Sequence, residues 1–525
     1  MIRVENLMVE DAAGRRVLDG VSLEAGPGER VAVVGESGAG KTTLALALLG
    51  EIKPGLRVTR GRVLVDGVDV LALAPRELRA LRRSTVAYLP QDPASALTPT
   101  LRVRGQLAEL AVDRADSALL RRLTDVGLPH DPGLLRRYPH QLSGGQQQRL
   151  ALARISASDP AVLVVDEPTT GLDAVARNLV LERVDELVAR RGSALVLVTH
   201  DLAAAGIVAD RLVVLHGGSV VEDGPLADVL EKPAAPYTRE LISAVPTVAE
   251  VRRRPPAAPA GVDGPLLRVD GVRAGHRQNG RRRIVVDGVS FTVAPGECLA
   301  LLGVSGSGKT TLARCVSGTH RPDAGTVSLD GQVLPDRIRD RTAEQRRRIQ
   351  LIPQHSAGSL NPRRTVRAAI TRPLRRLRGM SKADAVAELG RLLGLVGLGP
   401  EFADRYPSQL SGGQVQRVTI ARALAAAPSV LICDEMTSSL DTRVQATILE
   451  LVTRLRRELG LAVIVITHDL GVLARVADRV LALHDGVVCE EGSVERVLTS
   501  PEHPWTRTLV EASAAGAMET LSGSG

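Results

Sequence analysis

The sequence predicts an α/β protein in which one domain occurs twice in tandem. Three observations predict it: glycine-rich loops between a strand-like run and a helix-like run, fully apolar runs typical of buried parallel strands, and the recurrence of these features at one offset. Lys41 and Lys309 are 268 residues apart (309 − 41), and the same offset separates Ser143 from Ser411. This period is far too long for a solenoid repeat, so it indicates a duplicated domain.

The first glycine-rich loop fits the phosphate-binding pattern of glycine, four residues, and then Gly-Lys-Ser/Thr. It follows the apolar run Arg30 to Val34 and precedes the helix-like run Leu44 to Leu49. Backbone N–H groups and the helix N-terminus attract phosphate oxygens, and the lysine adds a cation. A single match is sometimes only a glycine turn, but this pattern returns in the second half. The predicted phosphate-binding residues are Gly35, Ser37, Gly38, Gly40, Lys41, Thr42 and Thr43, and then Gly303, Ser305, Gly306, Gly308, Lys309, Thr310 and Thr311.

Composition restricts the class of protein. The chain has 525 residues, which suits two to four domains, and only 1% of them are aromatic, so the cores must be aliphatic. The four cysteines have no paired spacing, which argues against a zinc or iron–sulfur site. The N-terminus has no secretion-signal pattern, and no apolar run approaches the ~18 residues that a membrane span requires.

The net charge is +8, and arginine supplies almost all of the positive charge. A basic chain can bind nucleic acid or anionic lipid. The clustered aromatic residues of a single-strand binding platform are missing. We therefore expect no nucleic-acid partner, and we interpret the arginines mainly as solvated surface, with contact of some of them with lipid headgroups as the alternative.

Three further motifs recur in both halves. A Ser-Gly-Gly-Gln run opens a helix, and its N-terminus is suited to an anion. An apolar run from Ala161 ends in two carboxylates, Asp166 and Glu167, which are seldom structural because the strand would bury them without partners. A second apolar run, Leu195 to Thr199, is followed directly by His200.

The ordered set of phosphate loop, Gln91, Leu-Ser-Gly-Gly-Gln, Asp-Glu, Leu-Asp and Thr-His-Asp resembles the ATP-binding-cassette (ABC) ATPase family. The resemblance covers both halves and nearly the whole chain, and the Leu-Ser-Gly-Gly-Gln run is its most specific part. It implies two P-loop NTPase domains, each with a RecA-like core, an antiparallel β subdomain and an inserted α-helical subdomain. Helical patterning between Leu101 and Leu135 marks that insertion in the first copy.

The predicted domain boundaries follow from the repeat. We expect a first ATP-binding domain over residues 1–246, a Pro/Arg-rich linker over 247–264, and a second ATP-binding domain over 265–511. The small, polar stretch 512–525 is expected to be a disordered tail.

The resemblance also implies the roles of the site residues, with ATP as substrate and Mg²⁺ as cofactor. The catalytic residues would be Glu167 and Glu435 as general bases and His200 and His468 at the terminal phosphate. The metal-binding residues would be Thr42, Gln91 and Asp166, and then Thr310, Gln354 and Asp434. The signature residues that contact nucleotide would be Ser143, Gly144, Gly145 and Gln146, and then Ser411, Gly412, Gly413 and Gln414.

In the family each nucleotide lies between two cassettes arranged head to tail. The resemblance therefore implies intramolecular pairing, with Lys41 opposite Ser411 and Lys309 opposite Ser143. Both halves keep the full set of motifs, so we expect two hydrolytic sites.

This sequence departs from the family in two respects, and its internal repeat is shifted at one position. No aromatic residue precedes the first loop to stack on adenine, where Arg15 or Arg16 are the candidates, and the second copy offers only His276. Met436 and Ser439 replace Pro168 and Gly171, a difference that allows unequal turnover. Gln91 and Gln354 are offset by 263 (354 − 91) instead of 268.

Local motifs narrow the class of transporter. Arg-Tyr-Pro before each signature, Ser-Leu-Asn-Pro after Gln354, and the endings Pro236 to Leu241 and Pro504 to Leu509 resemble the ATPase subunits of oligopeptide, dipeptide, nickel and glutathione importers, here fused. The resemblance implies two integral membrane permease subunits, an extracytoplasmic substrate-binding protein, and a peripheral position on the cytoplasmic face of the membrane. The permeases would dock near Gln91 and Gln354. The alternatives are a soluble tandem ABC factor acting on ribosome or nucleic acid, and a sugar-importer ATPase.

Overall fold

The structure is a computed structural model that describes residues 1–248, 251, 264–278, 281–304, 306–354, 356–437 and 440–516. Predictions for Ser305, for Ser439, for linker residues 249–250 and 252–263 and for tail residues 517–525 lie outside the described residues. The described chain forms two units, one mainly from residues 1–244 and the other mainly from residues 245–513.

The first unit contains two sheets. Strands β2, β1, β4 and β5 form an antiparallel sheet in that order, and the second sheet has the order β10-β9-β3-β8-β7-β6. In the second sheet only β10 runs antiparallel to its neighbour. The strands are β1 Ile2–Asp11, β2 Arg16–Ala25, β3 Arg30–Val34, β4 Leu56–Val65, β5 Val68–Asp69, β6 Val86–Leu89, β7 Val162–Asp166, β8 Ala194–Thr199, β9 Arg211–His216 and β10 Ser219–Pro225.

Both faces of the second sheet are buried, which explains its continuous apolar strands. Successive side chains of β7 point to opposite faces. Val162 and Val164 pack with the antiparallel sheet, whereas Leu163 and Val165 pack with the inserted helices. All of β7 is buried, including its last residue, Asp166. This unit therefore has two apolar cores, one against the antiparallel sheet and one against the inserted helices. They meet at β7, the strand that ends at the acidic pair.

The helices of the first unit include the predicted insertion, which lies between β6 and the signature helix. Its pieces are α3 to α5, which lie within the range Leu101 to Leu135 that the pattern predicted. The helices are α1 Lys41–Ala47, α2 Pro75–Ser84, α3 Val103–Ala108, α4 Asp116–Asp125, α5 Pro132–Leu135, α6 Gly144–Ser156, α7 Ala174–Arg191, α8 Leu202–Val208, α9 Leu226–Glu231 and α10 Pro236–Ala244.

The second unit repeats the architecture. Its sheets have the orders β12-β11-β14-β15 and β16-β17-β18-β13-β19-β20, which match those of the first unit strand for strand. The strands are β11 Leu267–Gln278, β12 Arg281–Val293, β13 Cys298–Leu302, β14 Ala324–Leu329, β15 Gln332–Val333, β16 Ile349–Ile352, β17 Val430–Asp434, β18 Ala462–Thr467, β19 Arg479–His484 and β20 Val487–Ser493. The fold class predicted from the sequence is confirmed.

Differences in the lengths of strands and helices between the two units explain the shifted position of Gln354. Strand β14 has 6 residues where β4 has 10, which shortens the chain before this glutamine. After it, α14 and α15 have 12 and 14 residues where α3 and α4 have 6 and 10. The helices are α11 Lys309–Val316, α12 Ala343–Arg348, α13 Ser356–Ser359, α14 Val366–Leu377, α15 Lys382–Leu395, α16 Gly412–Leu424, α17 Thr442–Leu459, α18 Leu470–Val476, α19 Val494–Thr499 and α20 Pro504–Gly516.

The last helix differs from the expected end of the domain. Helix α20 continues through residues 512–516. These residues were expected from the sequence to belong to a disordered tail. This segment is rich in alanine, the residue with the highest helix propensity, so it extends the preceding turns. Within the described ranges, no helix combines the length and the apolar character needed to span a membrane.

Candidate active sites

The parallel register of the first unit gathers the motifs at one edge of its sheet. Val34 pairs with Thr199, and Asp166 pairs with Val198, so β3, β8 and β7 end at the same level. The glycine loop follows β3, the acidic pair ends β7, and His200 follows β8. In the second unit Leu302 pairs with Thr467, and Asp434 with Ile466. Each unit thus assembles its own phosphate loop, acidic pair and histidine.

The phosphate loop of the first unit closes around the lysine side chain. Lys41 is 6% exposed, and its Nζ donates to Gly35 O at 2.7 Å and to Glu36 O at 2.9 Å. Gly40 caps the helix with a φ of 99°, and a Cβ there would lie 2.7 Å from Val17 O. Only glycine fits that position, because the conformation is left-handed and the backbone of a neighbouring strand is too close.

The same lysine contacts recur in the second unit. Lys309 is 5% exposed, and its Nζ donates to Gly303 O at 2.6 Å and to Val304 O at 2.8 Å. Burial lowers the pKa of Lys309, and the charges of Glu435 and Asp434 oppose that effect only in part. In both loops, the lysine is already directed at the segment that a nucleotide phosphate would approach.

The first acid of each pair has the properties of a cation ligand. Asp166 is 1% exposed, and among the described residues its Oδ1 has no hydrogen-bond partner. In the second unit, Thr310 Oγ1 donates to Asp434 Oδ1 at 3.1 Å, so a hydroxyl and a carboxylate are adjacent. Burial raises the pKa of both aspartates, and the hydrogen bonds to Asp166 from Thr42 and Tyr88, and to Asp434 from Thr310, oppose that shift only in part. A carboxylate and a hydroxyl are oxygen donors of the kind Mg²⁺ prefers, so these residues fit the ion.

The second acid of each pair is surrounded by donors. Glu167 Oε2 accepts from Gln91 Nε2 at 2.7 Å and from Thr170 Oγ1 at 3.2 Å, and Oε1 lies 3.1 Å from His200 Nδ1. In the second unit Gln354 Nε2 donates to Glu435 Oε2 at 2.6 Å. His468 Nδ1 lies 3.4 Å from Glu435 Oε1. Both glutamines therefore contact the second acid, and their roles as metal ligands stay predictions.

The backbone of the two glutamates is unusual. Glu167 has a φ of 48° and Glu435 a φ of 44°, in the left-handed region that non-glycine residues seldom adopt. Their N–H groups donate to Val198 O at 2.8 Å and to Ile466 O at 3.0 Å. These bonds to the neighbouring strand fix the strained turn, and such strain is typical of functional positions.

The Glu167 and His200 side chains stabilise each other in their charged forms. Burial would raise the pKa of the Glu167 carboxyl, but the hydrogen bond and charge of His200 outweigh it, so the pKa lies below its usual value. Burial would lower the pKa of His200, but the hydrogen bond and charge of Glu167 raise it above the usual value. A deprotonated Glu167 is the form that can accept a proton from water.

The signature segments form helix N-termini in both units. Ser143 is the N-cap of α6, its Oγ accepts from Gln146 N at 3.3 Å, and Gln146 Oε1 accepts from Ser143 N at 3.0 Å. Ser411 and Gln414 of α16 repeat this capping box with the same two distances. The glycines Gly144 and Gly145 have open space around their Cα atoms, so the backbone at this helix end is accessible.

The candidates for adenine contact are already engaged by other residues. Arg15 Nε donates to Asp11 Oδ2 at 3.0 Å, and Arg16 pairs with Asp19 at 2.9 Å. His276 Nε2 lies 3.0 Å from Thr311 Oγ1 at the start of α11, which places its ring next to the second loop.

Sequence reasoning missed two side chains that contact these sites in the first unit. Tyr88 on β6 donates to Asp166 Oδ2 at 3.1 Å. Gln148 on α6 donates through Nε2 to the carbonyl of Pro168, directly after the acidic pair. Tyr88 has no tyrosine counterpart in the second copy, so the sequence contained no signal for it. Gln148 recurs as Gln416 at the 268-residue offset (416 − 148), and this repeat is the signal that could have identified it.

The fold and the sites define the class of protein. The ABC transporter family profile matches residues 18–170 and 286–438, which is more than half of the chain. A second profile, the C-terminal region of oligopeptide/dipeptide transporters, matches residues 221–264. The chain therefore belongs to the ABC transporter family, and as such it is an ATPase with Mg²⁺ as its cofactor.

Two curated relatives are similar over almost the whole chain. The glutathione import ATP-binding protein GsiA of Salmonella paratyphi A is 36% identical over 94% of this chain and 85% of that protein. GsiA of Pectobacterium atrosepticum is 36% identical over 98% of this chain and 89% of that protein. Among solved structures, the ATP-binding cassette MJ0796 bound to ADP and Pi is 32% identical, with a TM-score of 0.40 over 43% of this chain and 98% of that one.

Proposed function

We propose that each unit hydrolyses ATP with the residues gathered at its sheet edge. The observation that carries the proposal is the shared level of the strand ends, which brings lysine, acidic pair and histidine together in both units. ATP hydrolysis requires charge neutralisation and an aligned water more than covalent chemistry by the protein. The geometry of each site supports a lysine that binds phosphate, an aspartate that binds the metal ion and a glutamate that activates water.

The phosphate loop binds the terminal phosphates. The Lys41 ammonium, which now donates to two loop carbonyls, would turn to the phosphate oxygens, and the loop amides would donate beside it. The dipole of α1 adds positive potential at the same place. Lys309 and the start of α11 do the same in the second unit.

The metal-binding group consists of Thr42, Asp166 and Gln91 at the first site and of Thr310, Asp434 and Gln354 at the second. Within the described part of the chain Asp166 Oδ1 is buried without a hydrogen-bond partner, and a cation bound beside it would compensate the charge of the carboxylate. When bound, Mg²⁺ neutralises charge that develops on the phosphates.

The glutamate activates the water. Glu167, held in its charged form by His200, accepts the proton as the water oxygen attacks the terminal phosphorus and the bond to the leaving diphosphate oxygen breaks. His200 then remains near the released phosphate as a donor. Glu435 and His468 have the same roles at the second site.

We extend the proposal to transport. The two import relatives and the match over residues 221–264 support an ATPase that energises uptake of a peptide-like or glutathione-like solute. Such an ATPase acts with two membrane permease subunits and an extracytoplasmic binding protein, and it lies on the cytoplasmic face of the membrane. The family also implies head-to-tail pairing of the two units, with the signature serines Ser143 and Ser411 completing the sites.

Co-purification and uptake test the transport proposal. We expect the tagged chain, extracted with its membranes in detergent, to retain integral membrane permeases, and a deletion strain to lose uptake of labelled glutathione or short peptides. Co-purification with ribosomes or nucleic acid instead, and unchanged uptake in the deletion strain, would favour the soluble tandem ABC factor.

A Tyr88→Phe variant tests the metal-binding role of Asp166. Removing the hydroxyl leaves Asp166 Oδ2 without its 3.1 Å donor, so the carboxylate loses orientation. Outer-sphere partners of metal ligands typically contribute about 10-fold or more in metal affinity. In a Glu435→Gln background, we expect the Mg²⁺ concentration for half-maximal ATPase activity to rise about 10-fold.

The second unit offers a matched control for this experiment. Leu351 occupies the equivalent strand position, because Tyr88 pairs with Val164 and Leu351 pairs with Ile432. Leu351→Ala in a Glu167→Gln background should leave the Mg²⁺ requirement unchanged. An unchanged Mg²⁺ requirement in Tyr88→Phe would contradict the proposed role of Asp166.

A further inference from the structure

The peptide group between Gly35 and Glu36, at the start of the first phosphate loop, is held at both ends. Its carbonyl oxygen, Gly35 O, accepts from Lys41 Nζ at 2.7 Å. Its N–H, that of Glu36, donates to the phenol oxygen of Tyr237 at 3.1 Å. These two bonds fix the orientation of the peptide plane from which the loop begins. Tyr237 is 201 residues away in the sequence, and no motif of the site includes it.

Tyr237 is placed by packing as well as by this bond. It lies in the first turn of α10 and is 9% exposed. Its ring stacks on His216, with centroids 3.9 Å apart and an interplanar angle of 27°. His216 ends β9, and β9 pairs with β3, the strand that leads into the phosphate loop. His216 therefore lies on the strand next to β3, and Tyr237 on α10 stacks against it there.

The segment before α10 is attached to the sheet by a carboxylate. Glu222 on β10 accepts from Ala234 N at 2.7 Å and from Ala235 N at 3.1 Å. Arg239 Nη1 adds bonds to Pro233 O at 3.1 Å and Ala234 O at 2.9 Å, which close the turn at the start of the helix. The beginning of α10 is consequently fixed, and the Tyr237 hydroxyl is fixed with it.

The second unit repeats the attachment but has no equivalent hydroxyl. Glu490 accepts from Glu502 N at 2.9 Å and from His503 N at 3.2 Å. Trp505 takes the place of the tyrosine and stacks on His484 with centroids 5.1 Å apart. An indole N–H can donate but cannot accept, so Trp505 cannot receive a bond from a loop amide. The two units share the stacked ring and differ in the hydrogen bond.

We propose that Tyr237 is a positioning residue for the first phosphate loop, through its bond to the Glu36 N–H, and that Trp505 cannot support the second loop in this way because its indole N–H cannot accept. This inference rests on the proposed role of the Lys41 loop in ATP binding. A loop fixed before nucleotide arrives loses less conformational entropy on binding, so the hydroxyl contributes to affinity at the first site. The C-terminal region typical of oligopeptide transporters thus contributes to nucleotide binding, in addition to forming the last helix of the first unit.

Tyr237→Phe tests this inference, because it removes the hydroxyl and keeps the stacked ring. One neutral hydrogen bond corresponds to a loss of about 2- to 10-fold in affinity. In a Lys309→Ala background, we expect calorimetry to show that Tyr237→Phe weakens ATP binding about 2- to 10-fold. In the otherwise unchanged chain, we expect a higher KM for ATP and a kcat within about 2-fold of the parent value, since no group that contacts the reacting atoms has changed.

Two further variants separate the hydrogen bond from the ring. Trp505→Phe in a Lys41→Ala background should leave ATP affinity at the second site unchanged, and Tyr237→Trp should weaken the first site as Tyr237→Phe does. Equal losses from Tyr237→Phe and Trp505→Phe, wild-type affinity in Tyr237→Trp, or a fall in kcat without a change in KM would each overturn the inference. If Lys41→Ala left both the number of ATP molecules bound per chain and their affinities unchanged, the proposed function of the first loop would fail instead, so the two failures are distinguishable.

Discussion

A chain carrying both Glu167→Gln and Glu435→Gln is expected to bind ATP and to hydrolyse it at least about 100-fold more slowly, because general-base catalysis typically contributes 10²–10⁴-fold. The amide cannot accept the proton of the attacking water. It also has one acceptor oxygen where the Glu167 carboxylate has two, and that carboxylate takes bonds from Gln91, Thr170 and His200. Phosphate release at saturating ATP measures the rate, and calorimetry measures binding in the same preparation.

The two copies provide a matched control for this experiment. Glu182 and Glu450 occupy corresponding positions on α7 and α17, outside the residues assigned to the sites. The pair Glu182→Gln and Glu450→Gln makes the same chemical change twice and should leave the rate unchanged. If the Glu167→Gln, Glu435→Gln chain hydrolysed ATP at the parent rate, another group would have to activate the water. The single variants show whether the two sites contribute equally.

The sequence was sufficient to predict which motifs meet at one sheet edge in each unit. Apolar runs that end in Asp166 and in Thr199 are buried strands because both faces of the sheet are covered. Parallel strands end at one edge, so the motifs that follow them had to meet there. The spacing of these motifs along the chain is a local property, and local properties can be recognised from sequence.

The supporting contacts could not be predicted in the same way. Tyr88 reaches Asp166 from 78 residues away, and Tyr237 reaches the loop from 201 residues away. Each contact depends on which strand is the neighbour and on how the side chain is directed, and no spacing pattern encodes either. The left-handed backbone of Glu167 is similar, because a bond to the adjacent strand imposes it.

These supporting residues are also where the two copies differ. The first site has Tyr88, Pro168 and Tyr237, and the corresponding residues of the second are Leu351, Met436 and Trp505. The groups proposed to act on ATP are the same in both copies, whereas these three supporting residues differ. Unequal turnover of the two sites, which Met436 and Ser439 suggest in the sequence, therefore stays a prediction. Its structural basis is the difference between these supporting residues at the two sites.

Removal of both loop lysines should abolish tight ATP binding. In a Lys41→Ala, Lys309→Ala chain, each loop loses the only cation within it, and a hydrogen bond to a charged group contributes about 1.5–3 kcal/mol, or roughly 10- to 150-fold in affinity. The carbonyls of Gly35 and Gly303 also lose their donors at 2.7 Å and 2.6 Å, so the loops become less ordered. We expect ATP affinity to fall at least about 10-fold at each site and hydrolysis at cellular ATP concentrations to become undetectable.

Exposed lysines serve as the control for the loss of positive charge. Lys53 and Lys232 are exposed on the surface of the first unit, so a Lys53→Ala, Lys232→Ala chain has the same net charge as the loop variant. Its ATP affinity should equal that of the parent, because screened surface charges contribute little at physiological ionic strength. Equal weakening in both chains would show that overall charge attracts the nucleotide. Unchanged binding in the loop variant would mean that the phosphates are held elsewhere, since a buried ammonium directed at a phosphate cannot be replaced by solvent without loss of affinity.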